Sequence, residues 1–243
     1  MSYVLILGAK GDMAKELARV YAKNGYNLYL AAREASTLED LKQDIEVRSG
    51  VDVELVEFDI TAFETHEKFY TSLKKRPLGV IVVAGFMCEQ KVAQNDWSKT
   101  LQTINVNYTG ALSILNIVAN DFEKERHGFI VGISSVAGDR GRKTNYIYGS
   151  AKAGFSAYLS GLRNRLYESG VSVLTVKPGF VNTKMTESLD LPKNLTAQPE
   201  DVAEDIFKAQ QRGRNIIYTK SIWMFIMLII KHIPEFIFKK MSI

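Results

Sequence analysis

The sequence predicts an α/β protein, a doubly wound parallel sheet flanked by helices on both faces. Three observations predict it. Short, wholly apolar runs alternate with longer segments of helical period from one end of the chain to the other. The turns between them are short, with no internal repeat and no linker long enough to divide the chain. The first apolar run ends on Gly8, at a strand-to-helix turn. A length of 243 residues suits one such domain and supplies a substantial core.

Composition narrows the functional classes. A formal charge of +4 is modest, and no basic run is long enough to suggest nucleic acid. Cys88 stands alone, so there is no internal disulfide framework and a reducing compartment is expected. His66, His127 and His232 lack metal-ligand spacing, so no metal site is expected. Met1 to Leu5 lacks the charged start and long apolar core of a signal peptide, and a cytoplasmic location is the expectation.

Val4 to Leu7 reads as a buried parallel strand. Gly8-Ala9-Lys10-Gly11-Asp12-Met13-Ala14 follows, opening a helix with Met13, Leu17, Val20 and Tyr21 on one side. Glycines at such a turn let backbone N–H groups approach a pyrophosphate resting against the helix N-terminus. Asp12 would repel that group unless its carboxylate caps the helix. Asn27 to Ala32 is the second strand. Ala32 stands where an acidic residue would bind a ribose 2′-hydroxyl, and Arg33 follows, suited to a 2′-phosphate with Lys10 adding charge. NADP(H) is therefore expected ahead of NAD(H).

Ser36-Thr37-Leu38-Glu39 has the form of a capping box that opens a helix to about Val47. Val53 to Phe58 is a strand closed by Asp59, which can cap the helix around Phe63 to Leu73. Val80 to Val83 is the fourth strand, ending in Ala84-Gly85, and Asn95 to Val118 reads as one long helix. Phe129 to Ile133, the fifth strand, delivers Ser135 at its carboxyl end, where open parallel sheets place ligands. Val171 to Val176 is the sixth strand, Pro199 opens a helix through about Gln211, and Asn215 to Tyr218 is the last strand.

Tyr148-Gly149-Ser150-Ala151-Lys152 lies inside a helical run from Tyr146 to Glu168. The spacing puts phenol and ammonium on one face, one turn apart. A fixed positive charge there favours the phenolate and lowers the tyrosine pKa, giving a group that exchanges a proton with a reacting oxygen. Ser135 can reach the same oxygen from a neighbouring sheet position.

These motifs resemble those of the short-chain dehydrogenase/reductase family over nearly the whole chain. The resemblance implies a Rossmann-type sheet of about seven strands in residues 1–220, with residues 221–243 as a C-terminal tail. It implies NADP(H)-dependent reduction of a carbonyl to an alcohol by hydride transfer. Tyr148 is then the general acid and Ser135 hydrogen-bonds the same oxygen. Lys152 holds the ribose hydroxyls, and Asn107, in Asn105-Val106-Asn107-Tyr108-Thr109-Gly110, bends its helix and completes a proton relay through a bound water. Gly8 keeps the first glycine of the family's Thr-Gly-x-x-x-Gly-x-Gly, whereas Asp12 and Ala14 replace the other two.

On the same pattern Lys10, Asp12 and Met13 belong to the pyrophosphate turn, and Asp59 matches the acidic residue beside the adenine. Ala84 and Gly85 end the family's Asn-Asn-Ala-Gly, with Val82 and Val83 in place of the asparagines. Pro178-Gly179-Phe180-Val181-Asn182-Thr183 matches Pro-Gly-x-Val-x-Thr, in which the Val181 backbone and the Thr183 hydroxyl hold the nicotinamide carboxamide. Lys184 to Ala197 reads as a mobile lid over substrate. Dinucleotide-binding sensors or scaffolds of this fold typically lose the tyrosine or the lysine, and this chain retains both. A homodimer or homotetramer is the family expectation.

The tail is strongly apolar. Ile222 to Ile230 falls well short of the ~20 residues a spanning helix needs. Lysines flanking tryptophan and phenylalanine suit a segment lying in a membrane interface, and equally a subunit contact or a wall of the substrate pocket. Ile233-Pro234-Glu235-Phe236-Ile237-Phe238 is similar to the ending of the family branch that reduces a polyprenyl-phosphate-linked keto-pentose. The substrates in view are a lipid-linked keto sugar, a 3-oxoacyl thioester and a small ketone.

Overall fold

The computed structural model describes residues 1–187 and 190–241. Its strands and helices alternate from the start. Strand β1 (Tyr3–Leu7) leads to helix α1 (Asp12–Lys23), β2 (Asn27–Ala32) to α2 (Glu39–Ser49), and β3 (Val53–Glu57) to α3 (His66–Thr71). After β4 (Pro77–Val82) come α4 (Gln90–Ala93), α5 (Trp97–Ile104) and α6 (Gly110–Glu125); β5 (Phe129–Ile133) is followed by α7 (Tyr146–Leu166). Then β6 (Ser172–Pro178) and the short strands β7 (Phe180–Val181) and β8 (Thr196–Ala197) precede α8 (Pro199–Gln211) and β9 (Ile216–Thr219). Helices α9 (Ile222–His232) and α10 (Glu235–Phe238) complete the described chain.

Seven strands form one sheet in the order β3-β2-β1-β4-β5-β6-β9, every pair parallel. This is the expected Rossmann-type architecture. The chain winds outward from β1 through β2 to β3, then returns to β4 on the other side, so the order reverses between β1 and β4. A parallel sheet covered on both faces has no solvated side, which is why β1 and β5 are buried at every residue. Val4 and Ile6 point into the core that includes α1, α2 and α8, whereas Tyr3, Leu5 and Leu7 point into that of α6 and α7. Each wholly buried leucine or isoleucine there contributes roughly 2 kcal/mol.

Three local expectations are corrected. Ser36 to Glu39 forms no capping box: Ala35–Leu38 is a 3₁₀ turn, and α2 starts at Glu39 with no side-chain cap. The turn is held instead by Glu57, whose carboxylate accepts from the N–H groups of Glu34 (2.8 Å) and Ala35 (3.0 Å). Asn95 to Val118 is not one regular helix, because a π-helical turn at Asn105–Thr109 separates α5 from α6. Such a turn inserts a bend and leaves backbone groups for other partners. Asp59 caps no helix; its Oδ1 accepts from the N–H and hydroxyl of Thr61, both at 2.8 Å, closing a local turn.

Candidate active site

All seven parallel strands end at one edge, and the sequence-predicted site residues cluster along it. Gly8, Arg33, Asp59, Ala84, Ser135 and Gly179 each lie within two residues of the carboxyl end of β1, β2, β3, β4, β5 and β6 respectively. Gly8 adopts φ +91°, and a Cβ there would sit 2.6 Å from the Ala84 nitrogen. A side chain at Gly8 would push the two turns apart. The N–H groups of Val83 and Ala84 both donate to the Leu7 carbonyl, at 2.9 and 3.0 Å.

Helix α1 starts after Gly11 without a side-chain cap, so its first-turn N–H groups keep their capacity for an anion. Asp12 does not cap them. Its Oδ2 accepts from the N–H of Lys184 at 2.8 Å, at the start of the segment expected to be a lid, of which residues 188–189 lie outside the described residues. Met13 is partly buried against the core that includes α1. Lys10 is also engaged: its ammonium pairs with Glu34 at 2.9 Å, whereas Arg33 is exposed. The added charge expected of Lys10 is therefore offset by Glu34, which lies in the left-handed region at φ 53°. Burial raises the Asp59 carboxyl, but its hydrogen bonds to Thr61 outweigh that and hold it below the ordinary aspartate value.

The Ser135, Tyr148 and Lys152 constellation expected to be catalytic is assembled by close packing of α7 on the loop after β5. A Cβ on Gly149 would stand 2.8 Å from the Ala137 carbonyl oxygen, so only glycine lets the helix approach this far. Ser134, which sequence reasoning passed over, fastens the same contact: its hydroxyl donates to the Lys152 carbonyl at 2.9 Å and meets the Ser156 hydroxyl at 2.7 Å. Ser135 is thereby set beside Tyr148, and its own Oγ accepts from the Ala137 N–H at 3.1 Å. Burial pushes the Tyr148 phenol up to about 12, a hydrogen bond with Ser135 opposing in part.

Lys152 behaves differently from expectation. Its ammonium, 3% exposed, donates to the Ile133 carbonyl at 2.9 Å and lies 5.7 Å from the centre of the Tyr148 ring. Burial without a counter-charge pushes it down to about 7. The expected lowering of the tyrosine by the lysine is absent here, because burial acts on both groups and favours the neutral form of each.

Asn107 lies in the π-helical turn and is fully buried. Its amide donates to the carbonyls of Phe86 (2.6 Å) and Thr103 (2.8 Å), and its Oδ1 accepts from the Phe86 N–H at 3.3 Å. The side chain fixes the loop after Gly85, whose Cα carries no group between Asn107 Oδ1 and the Met185 methyl. Across the groove, Pro178 and Val181 are buried, and Val181 pairs with Ala197 in the β7–β8 ribbon. Thr183 starts a 3₁₀ turn over Lys184–Thr186, its N–H donating to the Thr186 hydroxyl at 3.3 Å.

Two further groups brace this edge. The Asp139 carboxylate pairs with the Lys177 ammonium and accepts from the Tyr218 hydroxyl at 2.7 Å, joining the Ser135 loop to β6 and β9. Burial, then the Asp139 hydrogen bond, raises the Tyr218 phenol. Opposite charges beside Gly138 and Pro178, at the ends of neighbouring strands, were the available signal in the sequence. Trp223 of α9 lies over Gly179, where a Cβ would collide with the indole at 1.9 Å, and its Nε1 donates to the Leu195 carbonyl at 3.0 Å. Arg140 clips the tail: its guanidinium donates to the carbonyls of Ile230 (2.7 Å) and Ile233 (2.6 Å), pairs with Glu235 (2.8 Å) and covers the Phe238 ring.

The short chain dehydrogenase family model matches residues 2–194. The chain belongs to that family. An uncharacterized oxidoreductase of Mycobacterium tuberculosis is 32% identical over 241 residues, covering 98% of this chain and 96% of the relative. An uncharacterized oxidoreductase of Streptomyces coelicolor is 30% identical over 251 residues, 99% of this chain and 96% of its own. Among solved structures, a short-chain dehydrogenase from Sphingobium yanoikuyae in complex with NADPH superposes with a TM-score of 0.83 at 23% identity, covering 97% of both chains. An actinorhodin polyketide ketoreductase with NADPH gives 0.79 at 20% identity over 89% of this chain and 95% of its own. The protein is an oxidoreductase of the short-chain dehydrogenase type.

Proposed function

We propose that this oxidoreductase uses NADP(H) to reduce a ketone to a secondary alcohol, with Tyr148 as the proton donor. The observation that carries the reading is the convergence of Tyr148, Ser135 and buried Lys152 at the carboxyl edge, along the groove that begins at the uncapped N-terminus of α1. The groups along that edge suit a dinucleotide. The first-turn amides of α1 lack a side-chain acceptor, Gly8 permits close backbone approach, and Arg33 offers a guanidinium for a 2′-phosphate. Two similar structures carry NADPH, which supports the same choice here. Gly8, Lys10, Asp12, Met13, Arg33 and Asp59 would hold the adenosine half; Ala84, Gly85, Pro178, Gly179, Val181 and Thr183 would hold the nicotinamide half.

When bound, the nicotinamide supplies the hydride. Ser135 and Tyr148 hydrogen-bond the substrate carbonyl oxygen and so favour the charge that develops on it. Tyr148 then gives its proton to the alkoxide; burial, by keeping the phenol neutral at working pH, keeps that proton available. The phenolate left behind lies beside the Lys152 ammonium, which stabilises it and holds the ribose hydroxyls. Because the Asn107 side chain is committed to Phe86 and Thr103, any part Asn107 plays in proton return falls to its main-chain carbonyl.

For substrate class, the apolar α9 beside Gly179 favours a lipid-linked keto sugar over a 3-oxoacyl thioester or a small ketone. A homo-oligomer is the family default.

Titration with NADPH and NADH, read by the fluorescence of Trp97 and Trp223, tests the cofactor. Tight NADPH with weak NADH is expected. Tyr148→Phe then tests the chemistry on a ketone the native protein reduces. Turnover falls by about 10²-fold or more while NADPH affinity stays within about twofold. Retained turnover in that variant removes the proposed mechanism, and failure of folded protein to bind either nucleotide leaves the dinucleotide-free scaffold as the better reading.

A further inference from the structure

The outer half of the tail has no apolar cover among the described residues. In α9, Trp223, Ile226, Met227 and Ile230 follow helical spacing and pack inward with Val136, Phe180 and Tyr218. The other half of the same helix is also apolar: Phe225 is 59% exposed, Leu228 57% and Ile229 68%. Phe236 and Ile237 of α10 extend this surface at 66% and 45% exposure. A helix apolar all round belongs to a buried environment, and here one side is missing. Among the described residues, no helix is long and apolar enough to cross a membrane.

The charges around this surface choose the occupant. Lys231, Lys239 and Lys240 are exposed and form no ion pair among the described residues. Glu235, the only acidic group of the tail, is held by Arg140. A two-fold interface would place this face against its own copy and set unpaired ammonium groups near one another, with no second acidic residue in the tail to meet them. A surface with anionic headgroups over hydrocarbon satisfies both features, taking the lysines at the headgroups and the phenylalanine, leucine and isoleucine side chains at the acyl boundary.

We infer that the α9–α10 face docks on an anionic lipid bilayer as a peripheral, non-spanning contact. Only two residues separate the end of β9 from the start of α9, so docking brings the membrane to the carboxyl edge of the sheet. This holds whether or not the substrate is itself a lipid.

The test is co-sedimentation of the full chain with vesicles of phosphatidylcholine alone or mixed with phosphatidylglycerol, with light scattering on the same protein. Pelleting with the mixed vesicles is expected, weaker on phosphatidylcholine and weakened by salt. Lys231→Gln/Lys239→Gln/Lys240→Gln lowers affinity for the anionic vesicles by at least roughly tenfold, and Phe225→Ser/Ile229→Ser abolishes pelleting. These side chains are exposed, and unchanged Trp223 fluorescence reports that α9 remains seated. The inference is overturned if the native protein stays in the supernatant, or binds the two lipid mixtures equally. It is also overturned if Phe225→Ser/Ile229→Ser converts an oligomer to monomers with vesicle binding unchanged, which would give the face to a second copy.

Discussion

Lys152 is buried and Lys177 largely so near the carboxyl edge of the sheet, but their surroundings differ. Lys177 faces a buried carboxylate, Asp139, braced by the Tyr218 hydroxyl. Lys152 pairs with no carboxylate among the described residues, having the Ile133 carbonyl and two aromatic rings instead, and burial brings its ammonium close to losing a proton at neutral pH. A buried ammonium with a counter-charge is a structural tie, whereas one without is a proton donor in reserve. Along one edge, the first fixes the Ser135 loop, and the second stands beside Tyr148, where the proposed function gives it a part in the chemistry.

The comparison breaks most visibly at Asp139. Asp139→Asn leaves Lys177 buried without its counter-charge and destabilises the fold by about 3 kcal/mol, measured by urea denaturation. Adding Lys177→Met recovers much of that loss. A single-variant cost below about 1 kcal/mol would show that the pair is as dispensable as a surface bridge.

A smaller effect sharpens the other side. The folded-state pKa of Lys152 lies below its unfolded value, so between about 7 and the ordinary lysine value the unfolded chain binds more protons. Its burial penalty is present in full below about pH 7 and fades as pH rises toward 10. In the cofactor-free protein, stability therefore climbs from pH 7 to 9, and Lys152→Met flattens that climb. An equal slope in both proteins would mean that Lys152 is not the titrating group. The smallest effect belongs to a surface lysine. Glu34→Gln releases Lys10 and tightens NADPH about twofold without affecting NADH, whereas no change would keep Lys10 out of the 2′-phosphate site.

The sheet was legible because a strand buried on both faces must be apolar throughout; β2 and β5 match the expected Asn27 to Ala32 and Phe129 to Ile133 at both ends. Helix α8 starts where Pro199 placed it, since a proline at the first helical position gives up no hydrogen bond. The approach of Ser135 to Tyr148 followed from strand order and helical spacing. What sequence could not supply was the partner across the fold. Asp12 bonds to Lys184, the turn before α2 is held by Glu57, and Lys152 turns to Ile133. Each of those acceptors or donors is a group that local patterns do not identify. The tail was legible as apolar, but the division into an inward stripe on Gly179 and an outward stripe needed the packed structure.

Arg140 gives the molecule a mechanical asymmetry. Its guanidinium holds the tail at Ile230, Ile233 and Glu235, while its backbone lies five residues beyond Ser135. A load applied to the tail, by a curved surface or a grafted tether, reaches the Ser135 loop both through that side chain and through the packing of α9 on Val136. From that loop, which follows β5, the turn at Gly8 lies beyond β4, the strand that separates β5 from β1. A displacement of the tail therefore meets the Ser135 loop before the Gly8 turn.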